Sequence, residues 1–204
     1  MRRPRILLTA DFSDEGVDRL RRFADIRIGG YRELRRPLEP SELIEALDDA
    51  DGLILEYERV NAEVLKRSAL RIVASCRSGP EANIDVSEAT RLGIPITFVP
   101  GRNAVAVAEF TMALMLSLAR YVALTHHLMV ARVLTARAAS RHQDGEDVIW
   151  GLGEDSPYMR YKGPELAGRT LGIVGFGEIG RRVAARARGF DMTLIAYDPY
   201  VEAT

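Results

Sequence analysis

The chain has 204 residues, of which 47% are hydrophobic and 28% charged, as in an ordinary globular protein with one large or two modest domains. Its formal net charge is −1, with acids and bases mixed, so charge gives no reason to expect nucleic acid or an anionic membrane as a partner. The single cysteine excludes an internal disulfide. No apolar run is long enough for a membrane span or a signal peptide. We therefore predict a cytoplasmic protein.

The first hundred residues alternate between short β-branched runs and helical patterns. This alternation predicts βαβ units and a parallel, doubly wound sheet. Asn61 and Asp85 are predicted helix N-caps, and Asp85 with Glu88 makes the Asp-x-x-Glu form of a capping box. The predicted strands are Arg5–Ala10, Ile26–Ile28, Gly52–Glu56, Arg71–Cys76 and Ile96–Val99, and the predicted helices are Asp14–Phe23, Ser41–Asp49, Ala62–Ala69 and Val86–Arg91.

The pattern changes after Pro100-Gly101. Asn103 is predicted to cap a long helix that is apolar on nearly every side and that includes His126 and His127. A helix of this kind is buried all round, which in a short chain indicates packing between domains or against a second subunit. Residues 137–164 are polar and rich in glycine and proline, and we predict an extended surface connection there.

A dinucleotide-binding pattern follows. The apolar segment Thr170–Val174 runs directly into Gly175-Phe-Gly-Glu-Ile-Gly180, then into a helical segment from Arg181 and a second strand-like segment, Thr193–Tyr197. A lone G-x-G-x-x-G is a weak signal because glycines are common in turns. Here the spacing matches a complete strand–turn–helix–strand unit with an acidic residue, Asp198, about twenty residues past the motif.

Each position of this pattern has a mechanical role. Gly175 permits a tight turn, Gly177 lets the backbone approach a pyrophosphate, and Gly180 lets the helix pack on the strand, while the helix N-terminus faces the phosphates. Asp198 can accept hydrogen bonds from the adenosine ribose and would repel a 2′-phosphate. Since no arginine stands beside it, we expect NAD rather than NADP. A flavin, another nucleotide, or a glycine-rich turn that binds nothing are the alternatives.

With these motifs the chain resembles the D-isomer-specific 2-hydroxyacid dehydrogenases. The resemblance runs through Arg77-Ser-Gly-Pro-Glu-Ala-Asn-Ile-Asp, Ala89-Thr-Arg-Leu-Gly-Ile-Pro, Asn103-Ala-Val-Ala-Val-Ala-Glu and Gly163 to Gly180, and it continues to Tyr200. It implies a flavodoxin-like, doubly wound substrate domain over residues 1–100. The start of a Rossmann NAD-binding domain would follow over residues 101–204, with the helix from Asn103 forming much of a homodimer interface.

The same resemblance implies roles for single residues. The backbone amides of Ser78 and Gly79 would meet the substrate carboxylate, as loop amides suit an anion, and Asn103 would lie near the substrate. Val107 would lie near the nicotinamide. The remaining implied cofactor contacts are Gly175, Gly177, Glu178, Ile179, Gly180 and Asp198, and no residue is assigned to a metal.

Two departures from the family pattern concern the substrate. The loop that begins at Arg77 is one residue shorter than the commoner form with two glycines. Phosphoglycerate-type members carry an Arg-Ser pair where this chain has Leu55 and Glu56. A glutamate would repel a phosphorylated substrate, so we do not expect 3-phosphoglycerate.

In the family, an arginine, a carboxylate and a histidine perform hydride transfer, the histidine serving as acid and base. All three lie well downstream of the second cofactor-domain strand, beyond Thr204 in this numbering, and none of the three histidines here has the required context. Two strands and one helix also make an incomplete Rossmann domain. We therefore expect an N-terminal fragment, inactive alone, of an NAD-dependent dehydrogenase of a small D-2-hydroxy acid. The alternative is a non-catalytic NAD-binding module that acts through a partner.

Overall fold

Five short strands form one parallel sheet in the computed structural model, which describes residues 2–134 and 157–202. The strands are β1 (Arg5–Leu8), β2 (Asp25–Ile28), β3 (Gly52–Leu55), β4 (Ile72–Ser75) and β5 (Ile96–Thr97). Their order is β2-β1-β3-β4-β5, and every neighbouring pair is parallel. This is the flavodoxin-like order, so the predicted fold class is confirmed.

The helices between these strands are α1 (Asp14–Arg21), α2 (Gly30–Leu34), α3 (Pro40–Ala46), α4 (Ala62–Arg67) and α5 (Val86–Arg91), with a 3-10 turn at Pro80–Ala82. Four of them correspond to predicted helices. The sequence did not predict α2, because five residues that begin with glycine show too little apolar periodicity.

The N-caps predicted at Asn61 and Asp85 are confirmed. The side chain of Asn61 accepts a hydrogen bond from the Val64 amide at 3.0 Å, and that of Asp85 accepts one from the Glu88 amide at 3.0 Å. The capping box at Asp85 is wrong in its second half. The Asp85 amide donates instead to the Val60 carbonyl, and the Glu88 carboxylate pairs with an arginine, Arg91.

Both faces of the five-stranded sheet are covered. Successive side chains of a strand point to opposite faces, and Leu7 and Leu53 accordingly join one apolar core together with Leu43 of α3. Leu8 joins a second core with Val17 of α1. The sheet therefore has the buried faces that parallel sheets require.

The chain divides into two compact units, Met1–Arg102 and Asn103–Thr204. The second unit contains α6 (Ala104–Ala119), α7 (Val122–Val130), α8 (Pro157–Tyr161), β6 (Thr170–Val174), α9 (Glu178–Arg188) and β7 (Thr193–Tyr197). β6 and β7 are parallel, with Thr170 opposite Thr193 and Val174 opposite Tyr197. α9 packs against α6 through Ala108, Met112, Val183 and Ala187.

The prediction of one long helix through the two histidines is wrong. The helix ends at Ala119, Tyr121 adopts a left-handed backbone with φ of 54°, and His126 and His127 lie on the separate helix α7. Among the residues the structure describes, no single helix is long and apolar enough to cross a membrane. Taken together α6 and α7 meet that length and composition, but they are bent by 65°.

α6 is apolar all round, but within this chain only one of its faces is buried. Ala104, Ala108 and Met112 are covered, whereas Phe110 and Leu118 are 65% and 78% exposed. Residues 137–156 of the predicted connection over 137–164 lie outside the described residues. The described part, residues 157–164, begins with the helix α8 and not with an extended segment.

Candidate functional site

The glycine-rich turn connects β6 to α9. Gly175 follows β6 with φ of +92°, a conformation that favours glycine, and its amide donates to the Tyr197 carbonyl of β7 at 2.8 Å. Gly177 is the N-cap of α9, which begins at Glu178 rather than at the predicted Arg181. The predicted strand–turn–helix–strand unit is therefore present, with a helix one turn longer.

Close packing in this turn requires glycine at one position above all. A Cβ atom added to Gly180 would lie 2.2 Å from the Gly175 carbonyl oxygen, which is a backbone atom that cannot swing aside. Apart from the adjoining residues of the chain, no described atom lies within 4 Å of a Cβ added to Gly175 or Gly177. The turn is thus tightly closed toward the helix and open on its other side.

The N-terminus of α9 faces this opening. No side chain caps the helix at Gly177, so the first backbone amides, those of Glu178, Ile179 and Gly180, lack the partner that a capping side chain would give. The Glu178 side chain is exposed and pairs with Arg182 one turn along the helix at 3.3 Å. Unpaired amides at a helix N-terminus suit phosphate oxygens.

Asp198 follows β7 and connects the two strand ends. One of its carboxylate oxygens, Oδ2, accepts from the Phe176 amide at 2.6 Å, and the other, Oδ1, accepts from the Tyr200 amide at 2.8 Å. These two bonds, with the charge of Arg181, hold the pKa of Asp198 below its ordinary value. Arg181 forms no ion pair with Asp198 among the described residues, and its Nε donates instead to the Phe176 carbonyl at 2.9 Å.

Asn103 and Val107 lie at the start of α6. Asn103 occupies the N-cap position, but its side chain makes no capping hydrogen bond, so that part of the prediction is wrong. The Asn103 side chain is exposed, Val107 is half-buried, and the Val107 amide donates to the Asn103 carbonyl at 2.9 Å. The backbone φ of −98° and ψ of 4° at Asn103 is not the extended conformation typical of a capping residue.

Ser78 and Gly79 lie in the loop after β4, at the carboxyl edge of the five-stranded sheet. The Arg77 amide donates to the Ser75 hydroxyl at 3.2 Å, whereas the amides of Ser78 and Gly79 donate to no described residue. Glu81 lies close by, since its Oε2 would be 3.1 Å from a Cβ added to Gly79. Ligands of doubly wound proteins bind at this edge of the sheet.

Two acidic residues gather at the same edge, and the sequence indicated Glu56 but not Glu58. Glu56 is only 7% exposed and forms an ion pair with Arg102. Glu58 is fully buried and accepts a hydrogen bond from the Thr9 hydroxyl at 2.7 Å. The signal that could have found Glu58 is a Glu-x-Glu pair directly after a buried strand. The described ranges contain no group of three or more His, Cys, Asp or Glu that could bind a metal ion.

The two parallel sheets and the glycine turn define an α/β protein of the doubly wound class. The chain matches the model of the family "D-isomer specific 2-hydroxyacid dehydrogenase, catalytic domain" over residues 6–198, and it belongs to that family. The family consists of oxidoreductases that act on small 2-hydroxy or 2-keto acids. The names of its curated relatives range from glyoxylate reductase to D-3-phosphoglycerate dehydrogenase.

A glyoxylate reductase of Aeropyrum pernix is 36% identical to this chain, and the match covers 96% of the chain and 53% of the relative. The crystal structure of the TT0316 protein from Thermus thermophilus superposes with a TM-score of 0.76 at 29% identity, over 98% of this chain and 58% of that one. D-Lactate dehydrogenase from Aquifex aeolicus, in complex with NAD and lactic acid, shares the fold with a TM-score of 0.68 at 22% identity, over 97% and 52%. The chain spans about half the length of these proteins.

Proposed function

We propose that the intact protein is an NAD-dependent oxidoreductase that acts on the CH–OH group of a small D-2-hydroxy acid, or equally reduces the 2-keto acid. The observation that carries the proposal is the turn at residues 175–180. Backbone atoms pack closely against Gly180, whereas the space beside Gly175 and Gly177 is open. The Phe176 amide in this turn donates a hydrogen bond to the Asp198 carboxylate. In this proposal residues 1–100 form the substrate domain and residues 101–204 the first part of the NAD-binding domain.

The described residues fit a bound dinucleotide. The amides of Glu178 and Ile179 would receive the pyrophosphate, Gly177 would allow its approach, and Val107 would contact the nicotinamide. Asp198 would accept the ribose hydroxyls with the lone pairs that Phe176 and Tyr200 leave free. Its ionised carboxylate disfavours a 2′-phosphate, which supports NAD over NADP. NAD itself would supply the hydride acceptor.

For the substrate, we assign the carboxylate to the unpaired amides of Ser78 and Gly79, and a polar contact to Asn103. The ion pair between Glu56 and Arg102 modifies the argument against 3-phosphoglycerate. The glutamate does not stand as a bare negative charge, but a phosphate would have to compete with it for Arg102. We therefore propose a substrate without a phosphate group.

The acid–base histidine and its arginine and carboxylate partners have no candidates in family context within these 204 residues, so we propose that a longer chain supplies them and that this chain alone is inactive. The apolar side chains that α6 leaves exposed, Phe110 and Leu118 among them, support a homodimer formed through this helix. We retain a cytoplasmic location, without nucleic-acid or membrane partners, as part of the proposal.

The test is NADH oxidation by the protein of the complete reading frame, with glyoxylate, hydroxypyruvate and pyruvate as substrates. We expect turnover with at least one acid, and none by the 204-residue chain under the same conditions. NADH binding without turnover of any 2-keto acid would instead support the non-catalytic binding module. Turnover by the shorter chain would show that the catalytic residues lie inside it.

A further inference from the structure

Glu58 is a fully buried acidic residue that has no role in the proposed reaction. Its Oε2 accepts from the Thr9 hydroxyl at 2.7 Å, and its Oε1 accepts from the Tyr31 amide at 3.1 Å. No lysine, arginine or histidine forms an ion pair with Glu58 among the described residues. Burying a carboxyl group is costly unless its oxygens are satisfied, so both contacts have a structural reason to persist.

The contact with Tyr31 depends on the residue before it. Gly30 has φ of +56°, and a Cβ there would lie 2.5 Å from Glu58 Oε1 and 2.7 Å from Thr9 Cβ. The turn between β2 and α2 therefore closes directly onto the carboxyl group. Glu58, which follows β3, thus contacts Thr9, which follows β1, and Tyr31, which follows β2.

The same segment is connected to the proposed substrate loop. β3 and β4 are adjacent and parallel, with Leu55 opposite Ser75, so residues 56–58 and 76–79 leave the same edge of the sheet side by side. The Asn83 side-chain amide donates to the carbonyls of Glu56 and Glu58 at 3.2 and 2.8 Å. Asn83 ends the turn that begins at Pro80, directly after Gly79.

Tyr57, within the segment over residues 56–58, forms an aromatic pair with Tyr31. The rings of Tyr31 and Tyr57 have centroids 4.4 Å apart and are inclined by 53°, and Tyr57 is 44% exposed. Tyr57 is bonded in sequence to Glu58, and the Tyr31 amide is held by the Glu58 side chain. The Glu58 side chain thus holds the backbone of Tyr31, whose ring packs against that of Tyr57.

We infer that Glu58 is a positioning residue that fixes the Tyr31–Tyr57 pair as a wall beside the substrate loop, and that this wall limits the size of the side chain on the 2-keto acid. The inference rests on the proposed function, because it assigns the wall to that substrate site. Glu58 itself does not touch the substrate. It acts through the two tyrosines.

The test uses the protein of the complete reading frame and compares kcat/KM for glyoxylate with kcat/KM for the bulkier 4-methyl-2-oxopentanoate. We expect Glu58→Ala to change this ratio by about tenfold, since the Tyr31 amide and the Thr9 hydroxyl lose the acceptor that Glu58 provides, and to leave the KM for NADH unchanged. Glu58→Gln should restore most of the wild-type ratio. Its amide oxygen can accept from Tyr31, and its NH₂ group can donate to the Thr9 hydroxyl, which then turns toward the Ile54 carbonyl.

Two further variants separate positioning from stability. Leu65→Ala removes a side chain that is 2% exposed from the core of the same unit, so it should lower the melting temperature without changing the ratio. Tyr57→Ala should change the ratio in the same direction as Glu58→Ala, and the two substitutions together should add little. If Glu58→Ala does not fold, Thr9→Val removes one of the two donors and should give a smaller change of the same kind.

A folded Glu58→Ala or Thr9→Val with an unchanged ratio would overturn the inference. Hydrogen exchange of the peptide over residues 29–32 gives a second readout that needs no activity, and we expect it to be faster in Glu58→Ala than in Leu65→Ala. If the wild type turns over no 2-keto acid, the proposed function fails and the substrate wall with it. Faster exchange would then still support the positioning contact, and equal exchange would overturn that as well.

Discussion

The two parallel sheets of this chain differ in how fully they are covered. In the first unit Leu7, Leu8 and Leu53 are almost completely buried, because helices lie over both faces of the sheet. In the second unit one face of the two-stranded sheet meets α6 and α9, and Val174 and Ile195 on its strands remain 87% and 63% exposed. Side chains of similar chemistry therefore have opposite environments in the two sheets.

This difference separates the residues that stabilise each unit from the residues proposed to bind a ligand. The buried apolar side chains of the first sheet stabilise the strands from which its loops leave, including the loop with Ser78 and Gly79. In the second unit the proposed cofactor contacts lie around a single turn, whose geometry depends on Gly180 and on the bond between Asp198 and Phe176. Substitutions in the two sheets should consequently affect stability and binding to different degrees.

The largest effect is expected from truncating the covered sheet. Leu53→Ala should lower the free energy of unfolding of the first unit by about 3 kcal/mol, because it removes a side chain that is 1% exposed and leaves a cavity. Ile195→Ala, the matched change on the exposed face, should cost less than about 1 kcal/mol. Urea denaturation of the 204-residue chain, followed by peptide-resolved hydrogen exchange, measures both. Similar losses for the two variants would contradict the comparison.

The sequence could predict the first sheet well because the causes of its fold are local. Short apolar runs, turn residues and caps such as Asn61 lie within a few positions of each other. The same holds for the turn from Gly175 to Gly180. The break of the apolar helix at Tyr121 could not be predicted, since neither glycine nor proline marks it. The ring of Tyr121 packs edge-on against that of Tyr161, a residue far along the chain.

Long-range contacts were equally inaccessible. Thr9 and Glu58 are separated by 49 positions and meet only because β1 and β3 are neighbours in the sheet. Half of the capping box at Asp85 failed for the same kind of reason, since a distant carbonyl, that of Val60, takes the amide.

The second-largest effect is expected at the glycine-rich turn between β6 and α9. Gly180→Ala should destabilise the second unit by about 2 kcal/mol, because the new methyl group overlaps the Gly175 carbonyl. It should also weaken NADH binding by the intact protein by at least about tenfold, as the turn must open. Gly172→Ala on β6 is the matched control, since a Cβ there meets no atom within 4 Å. Intrinsic NADH fluorescence and thermal unfolding report the two quantities, and equal behaviour of the variants would refute the role given to Gly180.

A smaller effect is expected for the choice between NADH and NADPH. Asp198→Asn removes the negative charge while keeping one acceptor for the Phe176 or Tyr200 amide. The ratio of the Kd for NADPH to the Kd for NADH should fall by about fivefold, the size of one charge–charge repulsion in water. Asp191→Asn controls for the loss of an acid elsewhere in the second unit, because Asn tolerates the left-handed backbone found there, with φ of 54°. A fall in the ratio for Asp191→Asn alone would show that general charge, and not Asp198, sets the preference.

The smallest effect concerns the helices that cover the first sheet. The pKa of Glu88 on α5 is lowered from 4.5 to about 2, chiefly by its hydrogen bond with Arg91 and further by the charge of Lys66 on α4. The pKa of Glu42 on α3 is lowered equally, chiefly by its hydrogen bond with Arg36. Because the folded-state pKa lies below the unfolded one, the stabilising contribution is complete above about pH 4.5 and is lost as the pH falls toward 2.

Glu88→Gln should therefore reduce the slope of stability against pH in that window, and its loss of stability near neutral pH should equal the contribution that the wild type loses on acidification. Both should be small, since exposed ion pairs contribute little. Glu63→Gln, at an exposed pair with Arg67 on α4, is the control. Urea midpoints between about pH 2 and about pH 7 provide the measurement. A loss for Glu88→Gln at neutral pH as large as that for Leu53→Ala would mean that surface charge, rather than buried leucine, holds the helices onto the first sheet. The contrast with the uncovered second sheet would then need a different cause.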